Sequence, residues 1–108
     1  MLKKVNRLAK AKDIQKAFAR GRTFFSPIFN IKFLSHAPTP RFTVVVSTKV
    51  FKRAHDRNRL KRIIREYLRK NLQKFKNGSY IIMAKPKVST ISEAEAMKSF
   101  LQVCSKIQ

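Results

Sequence analysis

The stretch FKRAHDRNRLKRIIRE, residues 51–66, leads into a helix with one apolar face and one charged face. Apolar residues recur at 60, 63, 64, 67, 68, 72 and 75, which is the spacing of a single buried stripe. Cations recur every fourth residue on another side, at Arg57, Lys61, Arg65 and Arg69. Residues 52–76 contain eleven Lys or Arg against two acids. Because such a helix repels itself, it needs an anionic partner, and forked guanidinium donors favour a phosphate backbone.

The composition extends this interpretation to the whole chain. With 108 residues, 44% of them hydrophobic, the chain is predicted to form one domain over residues 1–108. The net charge of +21 favours nucleic acid as the partner, ahead of an acidic membrane surface or an acidic protein. No apolar stretch is long enough to span a membrane, and the start of the chain lacks the apolar core of a signal peptide, so we expect a cytoplasmic protein. The single cysteine, Cys104, lies in an apolar helical pattern and is expected to be a small buried hydrophobe.

The first half of the chain alternates between helical and extended patterns. Residues 1–10 are basic and are expected to be extended, and a short helix over 11–20 is expected to end at Gly21. Period-two alternation over 23–35 predicts extended structure, which Pro27 should divide into two short strands.

The second half contains the long helix and the most apolar strands. The proline-rich segment 36–40 predicts a turn, and the β-branched run 42–47 predicts a central strand. The basic helix is expected over 56–75, with Asp56 as its N-cap, and a buried strand is expected over 80–84.

The last helix opens with Ser92-Glu93-Ala94-Glu95, the spacing of a capping box. Its predicted buried residues are Met97, Phe100, Leu101 and Cys104. The predicted order is αβββαβα, an α+β sandwich in which helices pack on a central sheet.

The acidic residues and histidines do not suggest a protein active site. A metal-dependent nuclease needs convergent carboxylates, and this chain has five acids, of which Asp56 and Glu95 have capping roles. Glu66 is spaced to pair with Arg62 and Lys70. The two histidines, His36 and His55, lack partners at metal-ligand spacing, and two glycines cannot form a phosphate-binding loop. We therefore expect no catalytic residue and no protein-bound metal.

Residues 54–65, an Ala, two variable residues and then Arg-Asn-Arg-Leu-Lys-Arg-Ile-Ile-Arg, resemble the signature helix of the bacterial ribonuclease P protein component. The resemblance extends over nearly the whole chain. The other matching segments are Asn6-Arg7-Leu8, Asp13 to Phe18 with Gly21, Arg41-Phe42, Ser47-Thr48-Lys49 and Tyr80 to Ala84.

The resemblance implies a function, two partners and two sets of site residues. Proteins of this family assist a catalytic RNA that removes the 5′ leader from precursor tRNA, so the implied partners are the ribonuclease P RNA and precursor tRNA, with no membrane and no obligate protein partner. The RNA supplies the active site, and Mg²⁺ is expected for that RNA-based activity rather than as a cofactor of the protein alone. The implied site for the catalytic RNA comprises Arg57, Asn58, Arg59, Lys61, Arg62 and Arg65. The implied cleft for the precursor tRNA leader comprises Ile14, Phe18, Phe29, Asn30 and Lys49. The resemblance also implies a left-handed crossover through the signature helix, against the general right-handed rule.

Two alternatives stay open at this stage. The charge and size also suit a general RNA- or DNA-binding protein of ribosomal or nucleoid type with no role in tRNA processing. Phe18 and Phe29 could be core residues rather than cleft residues. The chain also departs from the family pattern, since Phe51 and Thr43 occupy positions where the family has glycine, and Ile14 stands where the family often has Phe.

Overall fold

Helices and strands follow the predicted order in the computed structural model, which describes residues 2–35 and 37–107. Of the predicted turn over 36–40, His36 lies outside these residues, and β3 already begins at Pro40. The helices are α1 (Ala11–Arg20), α2 (Ala54–Lys70) and α3 (Glu93–Ser105). The strands are β1 (Arg22–Phe24), β2 (Phe29–Leu34), β3 (Pro40–Val45) and β4 (Gly78–Ala84). Short 3-10 turns occur at Lys4–Asn6, Leu72–Lys74 and Pro86–Thr90. The α+β class and the break at Pro27 are confirmed.

The four strands form one mixed sheet in the order β1-β2-β4-β3. β2 pairs with β1 and β4 in antiparallel fashion, whereas β3 and β4 are parallel and are joined through α2. The prediction that residues 42–47 form a central strand is wrong, because β3 lies at the edge and β4 is internal. The amino-terminal segment covers part of this edge, since the Leu8 N–H donates to the Phe42 carbonyl at 2.8 Å. A covered edge explains why an edge strand can be as apolar as an internal one.

The sheet separates two apolar clusters of unequal size. On one face, α1 packs through Ala17 against Ile81 of β4. On the other face, α2 and α3 cover a larger core that is rich in aromatic rings. In that core the Phe42 ring stacks on Tyr80 at a centroid distance of 4.9 Å. Helices α1 and α2 therefore lie on opposite faces of the sheet.

The start of α2 differs from the prediction. The helix begins at Ala54 with Arg53 as the N-cap residue and no side-chain cap, so Asp56 is not the cap but lies in the first turn. There its negative charge still faces the positive end of the helix dipole. The helix ends at Lys70, five residues earlier than predicted, and a 3-10 turn carries the chain to the buried Phe75.

Helix α3 begins as predicted. The Ser92 hydroxyl accepts a hydrogen bond from the Glu95 N–H at 3.2 Å, and it also contacts the Glu95 carboxylate. Phe100 and Cys104 are buried, Met97 is half-buried, and Leu101 is 41% exposed, so the prediction that Leu101 is buried is wrong. None of the helices within the described residues is both long enough and apolar enough to span a membrane.

Candidate nucleic-acid interface

The charged side of α2, here called the arginine face, comprises the predicted residues Arg57, Asn58, Arg59, Lys61, Arg62 and Arg65. Leu60, Ile64 and Leu68 turn the opposite side of the helix into the core, which leaves these polar side chains outside it. Asn58, Arg59, Arg62 and Arg65 are exposed, while Arg57 and Lys61 are half-buried. The apolar stripe read from the sequence therefore determines which side of α2 a ligand can reach.

A cavity of about 590 Å³ lies between the arginine face and the amino-terminal segment. Arg62, Arg65, Asn58 and the Glu66 carboxylate line it from α2, and Arg7 faces them from the amino-terminal segment. Three guanidinium groups and one amide outnumber this single carboxylate, which Arg69 and Lys70 also contact. The cavity therefore suits a phosphate group, because planar donors can bind its oxygens in pairs. Arg7 was not among the predicted site residues, since nothing in its local sequence shows that the amino-terminal segment lies alongside α2.

Arg57 has a structural role within the arginine face. Its guanidinium donates hydrogen bonds to the carbonyls of Phe51 at 3.0 Å and Lys52 at 2.8 Å. These bonds tie the loop that precedes α2 to the first turn of the helix. Phe51, which stands at a family glycine position, is thus in a loop that Arg57 holds in place.

Carboxylates contact three other cations of α2. Arg59 donates to Glu93 of α3 at 2.6 Å, with both side chains more than half exposed. Glu66 contacts Lys70 at 4.0 Å, as predicted, and also accepts hydrogen bonds from Arg69. The hydrogen bond from Arg69 lowers the pKa of Glu66. Exposed pairs of this kind are weak because water and salt screen them, so they do not prevent Arg59 from meeting a phosphate.

A second surface, here called the α1-side platform, combines polar and apolar side chains. It lies on the face of the sheet against which α1 packs, in the part that α1 does not cover. Phe18 is 43% exposed, and Lys32 of β2 lies beside it. The Lys32 ammonium is 5.5 Å from the centroid of the Phe18 ring and donates to the Phe18 carbonyl at 2.7 Å. Met83 and the 42% exposed Val45 occupy paired positions on neighbouring strands of the same face. The platform thus combines an accessible aromatic ring with a fixed cation.

Three of the five residues predicted to line the leader cleft, Ile14, Phe18 and Asn30, lie on this platform. Ile14 is half-buried and packs beside Ala17 and Ile81 at its base. Asn30 pairs with Met83, and its side-chain oxygen accepts from the Ser26 N–H at 3.3 Å. Lys49 is exposed in the turn that follows β3.

The prediction that Phe29 lines the cleft is wrong. Its side chain has no solvent exposure and lies on the opposite face of the sheet, where its ring meets Phe100 of α3 at 5.5 Å. Successive residues of a strand face opposite sides, so Phe29 and Asn30 cannot both reach one surface. The same alternation places Lys32 on the same face of the sheet as Asn30. This pattern could therefore have predicted Lys32 from the sequence.

The described residues contain no group of three or more His, Cys, Asp or Glu that could hold a metal ion. Asp13 lies 3.2 Å from Arg41, and Cys104 is buried, with its thiol pKa raised to about 12 by that burial. What the structure does offer is a basic helix face and an aromatic platform on opposite sides of one sheet. This combination defines a small basic α+β protein of the nucleic-acid-binding class.

Comparison with known proteins identifies the family. Residues 2–108 match the family model described as Ribonuclease P, and the chain belongs to the ribonuclease P protein family. A ribonuclease P protein component from Xylella fastidiosa is 32% identical over 91 residues, which cover 84% of this chain and 67% of that protein. One from Pseudanabaena is 36% identical over 85 residues, which cover 77% of this chain and 73% of that protein.

Solved structures of this family share the fold. The RNase P protein from Thermotoga maritima superposes with a TM-score of 0.82 at 24% identity, covering 94% of this chain and 97% of that one. The Staphylococcus aureus protein also gives a TM-score of 0.82, at 22% identity, with 94% of each chain covered. The chain is accordingly a protein subunit of a ribonucleoprotein endoribonuclease with a role in processing the 5′ leader of tRNA. These matches favour that role over a ribosomal or nucleoid protein.

Proposed function

We propose that this protein holds the catalytic RNA of ribonuclease P on its arginine face and the 5′ leader of precursor tRNA on its α1-side platform. One observation carries the proposal: Phe18 is exposed beside Lys32 on one face of the sheet, while the arginine face belongs to the helix that packs on the other. Two RNA-binding surfaces that face different ways suit a protein that holds one RNA against another.

The arginine face is suited to folded RNA. Arg62, Arg65 and Asn58 line one cavity together with the Glu66 carboxylate, and Arg7 lies across from them, so a phosphate there would meet donors from two segments of the chain. Each cation that neutralises a phosphate releases a counterion, which makes the binding strongly salt-dependent. Asn58 adds a neutral amide whose donor and acceptor groups can read a defined RNA geometry.

The α1-side platform is suited to a single strand. Phe18 offers a ring face on which a base can stack, and Lys32 places a charge within reach of the adjoining phosphate. Stacking accepts any base, because every base has a π-face. Such a surface accepts leaders of differing sequence, as a processing enzyme with many tRNA substrates requires.

Mg²⁺ enters this proposal through the RNA rather than through the protein. Magnesium prefers octahedral sites built from carboxylate, phosphate and water oxygens. Asp13 is paired with Arg41, and Glu93 with Arg59, at distances of 3.2 and 2.6 Å. In this proposal the phosphates of the catalytic RNA are the ligands for the ion, and the protein contributes position and charge. We place this activity in the cytoplasm.

Reconstitution tests the proposal. The purified protein is added to a bacterial ribonuclease P RNA at near-physiological magnesium, and cleavage of a precursor tRNA is followed beside protein-only and RNA-only controls. We expect faster cleavage than with RNA alone and none with protein alone. Tight binding without any stimulation would instead indicate a general nucleic-acid binder.

A further inference from the structure

Phe25, in the turn between β1 and β2, is 66% exposed, more than any other large hydrophobic side chain among the described residues. An isolated exposed apolar residue is ordinary on a protein surface. The surroundings of Phe25 are what distinguish it, because the turn that presents the ring is held by side-chain hydrogen bonds from three directions.

Two side chains fix the shape of the turn. The Ser26 hydroxyl donates to the Phe29 carbonyl and accepts from the Phe29 N–H at 2.9 Å. The Ser26 N–H donates in turn to the Asn30 side-chain oxygen at 3.3 Å. Asn30, a predicted leader residue, therefore connects the turn directly to the α1-side platform.

Two lysines from distant parts of the chain bind the same turn. Lys106, at the end of α3, donates to the Phe25 carbonyl at 3.3 Å, and Lys85 donates to the Ser26 carbonyl at 3.1 Å. Because the carbonyl oxygens are neutral, these hydrogen bonds do not cancel either ammonium charge. The groove beside the neighbouring Pro27 is lined by one carboxylate, Glu95, and by two further lysines, Lys87 and Lys98. The turn therefore carries net positive charge around an exposed aromatic ring.

The register of the sheet relates Phe25 to the platform. Thr23 of β1 pairs with Lys32, and Phe25 follows directly after the end of β1 at Phe24. With about 3.4 Å per residue and about 4.8 Å between strands, one residue beyond the end of β1 brings the backbone of Phe25 to about 8 Å from that of Lys32. The exposed ring of Phe25 therefore lies at the end of the strand next to the one that carries Lys32.

We propose that Phe25 is a second base-stacking position, at which the leader continues across β1 after it leaves Phe18 and Lys32. The inference rests on the proposed leader-binding function and extends it to the β1 edge of the sheet. The occupant is single-stranded RNA, because an exposed ring among fixed cations offers a base its π-face and the adjoining phosphates their counter-charges. The proposal assigns to Phe25 the leader nucleotides that lie further from the cleavage site than those at Phe18.

A leader-length series with the assembled holoenzyme tests this position. The affinity for precursor tRNAs with leaders of increasing length is measured for the wild type, Phe25→Ala, Phe25→Tyr and Leu101→Ala. Leu101 is a matched control, since it is 41% exposed and lies on α3. Circular dichroism melting confirms that each variant is folded, which we expect because the replaced side chains are largely in solvent.

The inference requires a loss that depends on leader length. Phe25→Ala should bind long-leader substrate roughly five- to tenfold more weakly and short-leader substrate as the wild type does, and Phe25→Tyr should restore the affinity. A wild type that gains affinity with leader length while Phe25→Ala behaves identically would overturn this inference alone. Loss at every leader length would assign Phe25 to the catalytic RNA instead. A wild type indifferent to the leader would overturn the proposed function as well.

Discussion

Phe29→Ala and Phe18→Ala provide a paired test of how the sheet divides core from binding surface. Phe29 has no solvent exposure, and its ring meets the Phe100 ring edge-on at 5.5 Å. Removing a buried aromatic ring costs about 3–5 kcal/mol in free energy of unfolding, because transfer energy is lost and a cavity remains. A small domain has only about 5–15 kcal/mol in total. At roughly 4–8 °C per kcal/mol, the melting temperature of Phe29→Ala should fall by more than about 10 °C.

Phe18→Ala should have the opposite profile. Its ring is 43% exposed, and the hydrogen bond that Lys32 donates at residue 18 goes to the backbone carbonyl, which Ala retains. The free energy of unfolding should change by only about 0.5 kcal/mol. Loss of the stacking surface should weaken binding of leader-bearing substrate by about 1–3 kcal/mol, and leaderless substrate should be unaffected.

The two variants are compared in the same pair of assays. Urea or thermal unfolding followed by circular dichroism gives stability, and titration of the holoenzyme with leader-bearing and leaderless tRNA gives affinity. Stability loss should belong to Phe29→Ala and leader-specific affinity loss to Phe18→Ala. The reasoning is refuted if Phe18→Ala unfolds the protein, or if Phe29→Ala is stable and impaired only in leader binding.

Three further predictions concern α2 and the core. Replacing Arg62 and Arg65 together by Ala should weaken binding to ribonuclease P RNA. It should also reduce the magnitude of the slope of log affinity against log salt by roughly 2, one for each lost phosphate contact. An unchanged slope in a salt titration would show that neither side chain contacts phosphate. Arg57→Ala should lower the free energy of unfolding by about 1–2 kcal/mol, because two loop carbonyls lose a charged donor; a denaturation midpoint equal to that of the wild type would contradict this anchoring role. Burial raises the pKa of Cys104 to about 12, so at pH 8 the folded thiol should stay protonated and react with iodoacetamide only when the protein unfolds. An unfolded thiol has a pKa of about 8.5 and is already partly ionised at this pH. Equal rates of reaction for native and denatured protein would contradict that burial.

The long helix was the most predictable element, because its apolar period and charge pattern agree over many residues. The period correctly assigned Leu60, Ile64 and Leu68 to the core. Its boundaries were less predictable. Asp56 is a good N-cap residue by type, but Arg57 binds the preceding loop from within the first turn, and the helix starts two residues earlier. Such a tertiary contact leaves no local signal.

The strands show a different limit. The β-branched run in β3 suggested an internal strand, but the amino-terminal segment covers this edge, and only the fold reveals that distant contact. The error at Phe29 was avoidable, because period two already separates it from Asn30. Lys32 could have been assigned to the leader surface by the same rule, whereas Arg7 could not, since its place beside Arg62 depends on the path of the chain.

The central claim, that the protein binds the leader, is tested most directly by a ratio of two affinities. Binding of leader-bearing and leaderless tRNA is measured with ribonuclease P RNA alone and then with the protein added. We expect the protein to raise the affinity for the leader-bearing tRNA selectively, by roughly tenfold for about 1.4 kcal/mol of leader contact. An equal rise for both tRNAs, or for neither, would contradict a leader-binding surface on this protein.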